Sequence, residues 1–172
     1  IKAIEQARQQ QVDLLCFAEL TITGYGCEDV FLSDWLSDTA WNKLQTILPH
    51  CHNISVAVGL PIRMDGKTFN GACLIHDGRI LGISLKQHLP KDGVHYEPRW
   101  FEAWKANEIR IIERNGNAIQ VGDLIYEING IKIGFEICED AWVTDQRPGV
   151  NLCHRGVDVI LNPSASHFAM SK

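Results

Sequence analysis

The chain has 172 residues and a mass of 19.3 kDa, enough for one domain, or most of one, with a sizeable core. Apolar residues at 45% and charged residues at 22% exclude a disordered or collagen-like chain. A net charge of −5 without a dense basic patch argues against nucleic acid; no apolar run approaches the ~20 residues that cross a bilayer, and no segment has the pattern of a signal peptide.

The chain opens with Ile1, Ile4 and Ala7 at helical spacing, continuing to Gln11 and Val12. A nearly continuous apolar run over residues 12–18 predicts a strand covered on both faces, ending at Glu19. Residues 20–26 read as a loop. Ser33 or Asp34 can cap a helix to about Leu48, with Trp35, Leu36, Trp41, Leu44 and Leu48 as its apolar face. A strand over residues 53–60 is expected to stop at Pro61. Residues 69–75 and 80–85 flank Asp77-Gly78, and residues 123–128 and 131–137 flank Asn129-Gly130. Both are hairpins with type I′ signals. In the second, Ile131, Ile133, Phe135 and Ile137 share one face. A helical segment near residues 148–155 precedes a strand over 157–161. Hairpins within an alternating pattern predict a mixed-sheet α/β domain with helices on the sheet faces. There is no initiator Met or N-terminal cap, and the chain stops just after a strand. The expectation is a domain spanning residues 1–172 of a longer polypeptide, truncated at both ends.

The six cysteines, Cys16, Cys27, Cys51, Cys73, Cys138 and Cys153, are irregularly spaced. A core of this size does not need disulfides, so they read as small core hydrophobes in a reducing, cytoplasmic compartment, with at most one or two chemical thiols.

Three residues at strand ends carry potential chemistry. Glu19, between Ala18 and Leu20, is either a strand-end glutamate reaching water or a desolvated carboxylate of raised pKa serving as a general base. Lys86 follows the apolar arm that ends at Leu85 and is either a solvated hairpin-end lysine or a site cation; Lys91 competes with it. Cys138 ends the arm Phe135-Glu136-Ile137, where a turn exposes the sulfur and leaves the Glu139 and Asp140 N–H groups for an oxyanion. A nearby lysine would lower its pKa toward the reactive thiolate. Together, carboxylate, ammonium and thiol describe amide cleavage through a thioester.

Other motifs are poorer. Gly66-Lys67-Thr68 resembles the end of a phosphate loop, but Pro61 stands where its leading glycine belongs, and no G-x-G-x-x-G occurs. His50-Cys51-His52 and Cys153-His154 lack zinc-ligand spacing, so no metal is expected. For a Cys–His dyad, only His167 in the terminal loop has a distinctive context.

Four blocks carry a resemblance: Phe17-Ala18-Glu19-Leu20-Thr21-Ile22-Thr23-Gly24-Tyr25 followed by Glu28-Asp29; Lys86-Gln87-His88-Leu89-Pro90 with Tyr96-Glu97-Pro98-Arg99-Trp100-Phe101; Glu136-Ile137-Cys138-Glu139-Asp140-Ala141-Trp142; and Asn162-Pro163-Ser164-Ala165-Ser166. They resemble the nitrilase, or carbon–nitrogen hydrolase, superfamily, and within it the glutaminase domains of glutamine-dependent NAD synthetases. The resemblance implies an α-β-β-α sandwich with mixed sheets, stacked into homo-oligomers. It makes Glu19 the base, Lys86 the oxyanion-side cation and Cys138 the nucleophile, and favours Lys86 over Lys91. It implies substrate contacts from Tyr25, Asp92, Glu97, Glu139, Ser166 and Lys172, with L-glutamine as substrate. Ala18 departs from the proline usual before the base, a change affecting local rigidity.

The glutaminase step needs no cofactor. The resemblance places ATP, Mg²⁺ and deamido-NAD in a synthetase domain absent from this chain, which lacks its Ser-Gly-Gly-x-Asp-Ser loop. The rivals are a stand-alone amidase or carbamoyl hydrolase, and a non-enzymatic binding or scaffold domain.

Overall fold

The computed structural model describes residues 1–91 and 96–166. Helix α1 (Lys2–Gln9) turns Ile4 and Ala7 inward, and α2 (Asp34–Ile47) turns in Leu36, Ala40, Trp41 and Leu44. Strands β1 (Leu14–Cys16), β2 (Ser55–Met64), β3 (Lys67–His76), β4 (Arg79–Leu85), β5 (Ile109–Arg114) and β6 (Asn117–Gly122) form one sheet in the order β1-β2-β3-β4-β6-β5. Strands β7 (Tyr126–Ile128), β8 (Ile131–Phe135) and β9 (Val159–Leu161) form a second. Both are mixed. In the first, β1/β2 and β4/β6 run parallel while β2/β3, β3/β4 and β5/β6 run antiparallel. In the second, β7/β8 is antiparallel and β8/β9 parallel.

The layers follow from which side chains alternate. Val56, Val58, Leu60, Cys73 and Ile75 share a core with Ile4, Ala40, Trp41 and Leu44 of the helices. The opposite face of β2 and β3 offers Ala57, Ala72 and Leu74, which pack against Tyr126, Ile133 and Phe135 of the second sheet and the flanking Leu124 and Ile137. Behind that sheet lies α3 (Pro148–His154), whose Leu152 sits so close over Gly134 that a Cβ there would come within 2.8 Å. This is the expected α-β-β-α sandwich. Leu44 is fully buried, and truncating it to alanine would cost roughly 2–5 kcal/mol.

The expected hairpins form with both turn residues at positive φ: Asp77 and Gly78 at 47° and 74°, Asn129 and Gly130 at 53° and 81°. Two more hairpins turn at Asp65-Gly66 and Asn115-Gly116. The first of these explains Gly66, which belongs to a tight turn and not to a phosphate loop.

Several local expectations are corrected. The strand after α1 is only β1, at the sheet edge, with Leu14 and Leu15 half-buried and Cys16 exposed. Pro61 lies inside β2, opposite Asn70. Because β1 leaves β2 at Ala57, a missing N–H farther along costs no ladder bond on that side. Trp35 is 59% exposed and Ile131 47%, so neither belongs to the apolar face assigned to it. All six cysteines are free, but only Cys51 and Cys73 are core residues.

Candidate active site

Beyond β1 the chain bends across the middle of β2. Phe17 N–H still bonds Ala57 O at 2.9 Å and Ile22 N–H bonds Gly59 O at 3.0 Å, so the intervening Glu19 lies directly on that strand. Gly59 makes this possible: a Cβ there would stand 2.2 Å from Leu20 N. Leu20 itself takes a φ of 51°. Glu19 is consequently buried, not solvated as the simpler sequence reading had it.

Lys86 is the first residue after β4. Its Nζ donates to Glu19 Oε1 at 2.7 Å and to Glu97 Oε1 at 2.8 Å, and all three side chains have 0% exposure. Asn70 Nδ2 also donates to Glu19 Oε1, at 2.8 Å, and Tyr25 Oη donates to Glu97 Oε1 at 2.6 Å. Burial pulls the Lys86 pKa down, but the adjacent Glu19 and Glu97 outweigh it and leave a lysine held above its usual value. Burial pushes the Glu97 carboxyl up, against the pull of Lys86. The Tyr25 phenol is likewise raised, by burial and then by Glu97.

Cys138 opens a 3₁₀ turn (Cys138–Ala141) with a φ of 49°, a left-handed conformation that non-glycine residues enter at a cost. Its N–H is tied to Pro163 O at 3.1 Å. The Ala165 N–H donates to Glu19 Oε2 at 3.2 Å, and the Ser164 hydroxyl donates to Asn162 Oδ1 at 2.6 Å. The segment that follows Pro163, the residue whose carbonyl holds the Cys138 N–H, thus also reaches the Glu19 carboxylate. The sequence reading expected a lysine to depress this thiol's pKa. Lys86 does pull that way, but burial, with Glu19 adding to it, leaves the pKa above the ordinary value. Of the two N–H groups expected to face an oxyanion, that of Asp140 is spent on Ile137 O at 3.2 Å. Among the described residues that of Glu139 has no acceptor.

A family model for carbon–nitrogen hydrolase matches residues 1–172. The chain belongs to the carbon–nitrogen hydrolase family. Among solved structures, it is similar to a glutamine-dependent NAD(+) synthetase from Cytophaga hutchinsonii, at 44% identity and a TM-score of 0.89 over 99% of this chain and 28% of that one. Among curated relatives, the glutamine-dependent NAD(+) synthetases of Thermotoga maritima and Rattus norvegicus are 35% and 31% identical over the whole chain. The chain spans about a quarter of their length, 27% and 25%.

On this carbon–nitrogen hydrolase scaffold the remaining sequence candidates separate. Tyr25 and Glu97 join the buried cluster. Ser166 is exposed, whereas Asp92, Lys172 and His167 lie outside the described residues. Lys91 is exposed and lines a cavity of about 820 Å³ together with Gln87, His88, Trp100 and the half-buried Glu139. That cavity is lined by the chain neighbours of Lys86 and Cys138, not by those two residues themselves.

Three side-chain roles in the candidate site escaped the sequence reading. Asn70 sits in a plain strand run. Asp140 accepts N–H bonds from Gln87 at 3.0 Å, His88 at 2.7 Å and Ile137 at 2.9 Å, tying the exit of β4 to the turn that Cys138 opens. Burial pushes its carboxyl up to about 7, against those donors. Asp29 clamps Arg99 through two hydrogen bonds, of 2.5 and 2.7 Å, which ties the segment carrying Tyr25 to the turn carrying Glu97. The Glu28-Asp29 pair was in view, but nothing in the sequence paired Asp29 with Arg99. Among the described residues no helix is long and apolar enough to cross a membrane.

Proposed function

We propose that this chain is the glutaminase part of a glutamine-dependent NAD synthetase, hydrolysing L-glutamine to glutamate and ammonia. What supports the reading most is a fully buried carboxylate paired with a buried lysine, and bonded by the segment that also holds the backbone of a cysteine in a left-handed conformation. Glu19 takes the Cys138 proton as sulfur attacks the carboxamide carbon. Lys86 and the Glu139 N–H stabilise the oxyanion. Glu19 then protonates the departing nitrogen, the C–N bond breaks, and ammonia leaves a thioester. Water, deprotonated by Glu19, cleaves the thioester and the proton returns to sulfur.

Glu97 and Tyr25 position Lys86 and the substrate. Asp92, Ser166, Lys172 and Glu139 are assigned to holding the glutamine α-substituents and reacting group. The ammonia amidates deamido-NAD in a synthetase domain of the same polypeptide, using ATP and Mg²⁺. The parent protein is cytoplasmic and homo-oligomeric, and residues 1–172 are a truncated piece of its amidohydrolase domain. In the full polypeptide, Cys138→Ala is expected to abolish glutamine-dependent NAD synthesis and to spare synthesis fed with free ammonia. Retained glutamine use would overturn the proposal. A gene without a pyrophosphatase loop downstream would point instead to a stand-alone amidase.

A further inference from the structure

Asn70 lies in the middle of β3, 1% exposed, with no charge and no obvious chemistry. Two of its bonds set it apart. Its backbone carbonyl accepts the Lys86 N–H at 2.9 Å, and its side-chain Nδ2 donates to Glu19 Oε1 at 2.8 Å. One residue therefore holds the lysine by its main chain and the carboxylate by its side chain. The amide orientation is fixed by chemistry, because its Oδ1 turned toward Glu19 would set two acceptors against each other.

The two oxygens of Glu19 are treated differently as a result. Oε1 receives both Lys86 Nζ and Asn70 Nδ2. Among the described residues Oε2 receives only the Ala165 N–H, at 3.2 Å, two residues beyond the Pro163 carbonyl that holds the Cys138 N–H. A carboxylate with one edge saturated cannot rotate freely, and the edge left for proton transfer is Oε2, which meets the segment that also holds the Cys138 N–H.

We infer that Asn70 is a positioning residue for the proposed base: its side-chain amide anchors Glu19 Oε1 and so leaves Oε2, beside the Ala165 N–H, to accept the Cys138 proton. This rests on the assignment of Glu19 as the base. No substrate contact is required of Asn70, so its loss should lower turnover more than substrate affinity.

The test uses the full polypeptide, with glutamine turnover and the rate of Cys138 alkylation by iodoacetamide each followed against pH. Asn70→Leu removes the donor at similar size, and Asn70→Asp keeps the shape while adding a like charge beside Glu19. For Asn70→Leu, kcat should fall by about 10-fold or more with KM within about 3-fold, and the acid limb of both profiles should move to higher pH. Asn70→Asp should move it further, because adjacent carboxylates share a proton. Unchanged profiles in a folded variant, a change confined to KM, or unfolding of both variants overturns the inference. Glu19→Gln separates the two levels. If it leaves the alkylation profile unchanged, the base assignment fails; if it shifts that profile and Asn70→Leu does not, only the role of Asn70 fails.

Discussion

Lys86 Nζ stands between Glu19 Oε1 and Glu97 Oε1, at 2.7 and 2.8 Å, in a cluster sealed from solvent. Each carboxylate stabilises the ammonium, and the ammonium is what keeps two buried acids compatible. Removing it leaves two like charges to share a proton.

Lys86→Met should therefore lose both function and stability. Turnover should drop by more than ~100-fold, since the oxyanion loses a cation and Glu19 gains a competing proton. Breaking a buried pair from one side should cost roughly 3–5 kcal/mol of unfolding free energy, read from urea titration. Near-normal turnover in this variant would remove Lys86 from the mechanism.

Gly59→Ala tests how Glu19, the proposed base, is held in place. A Cβ at that position would collide with the Leu20 backbone at 2.2 Å, and backbone cannot move aside as a side-chain tip can. The Glu19 turn should be displaced, destabilising the protein by about 1–3 kcal/mol and reducing kcat by at least ~10-fold. A variant with unaltered melting and kinetics would show that the turn does not depend on this contact.

Asp140→Asn bears on pH dependence. Burial raises the folded-state pKa to about 7, against 3.8 for an unperturbed aspartate. Between those values the folded state binds more proton than the unfolded one, so stability falls as pH rises through the window and is lowest above it. The variant's melting temperature minus that of the parent should therefore rise from about pH 4 to pH 7. A difference flat in pH would count against a buried titrating Asp140.

Much of the architecture was legible because it rests on local rules. Asp77-Gly78 and Asn129-Gly130 specify tight hairpins by their φ preferences, and the alternation of Ile133, Phe135 and Ile137 marks a buried face. Glu19, Lys86 and Cys138 stood out because each is a polar residue closing an apolar run. Trp35 and Pro61 were misread for a related reason: periodicity and breaker rules report what a residue prefers, not which neighbour covers it.

By itself, the sequence determined the order of elements, the turns between them and the three chemical groups placed where those elements end. Only the tertiary structure decided the protonation balance and the supporting cast. Burial, with Glu19 adding to it, holds the Cys138 pKa above its ordinary value despite the lysine neighbour. Asn70, Asp140 and the Asp29–Arg99 clamp each depend on a partner 51 to 70 residues away. Desolvation and hydrogen-bond geometry depend on distances across the sandwich, and those exist only once the two sheets have packed.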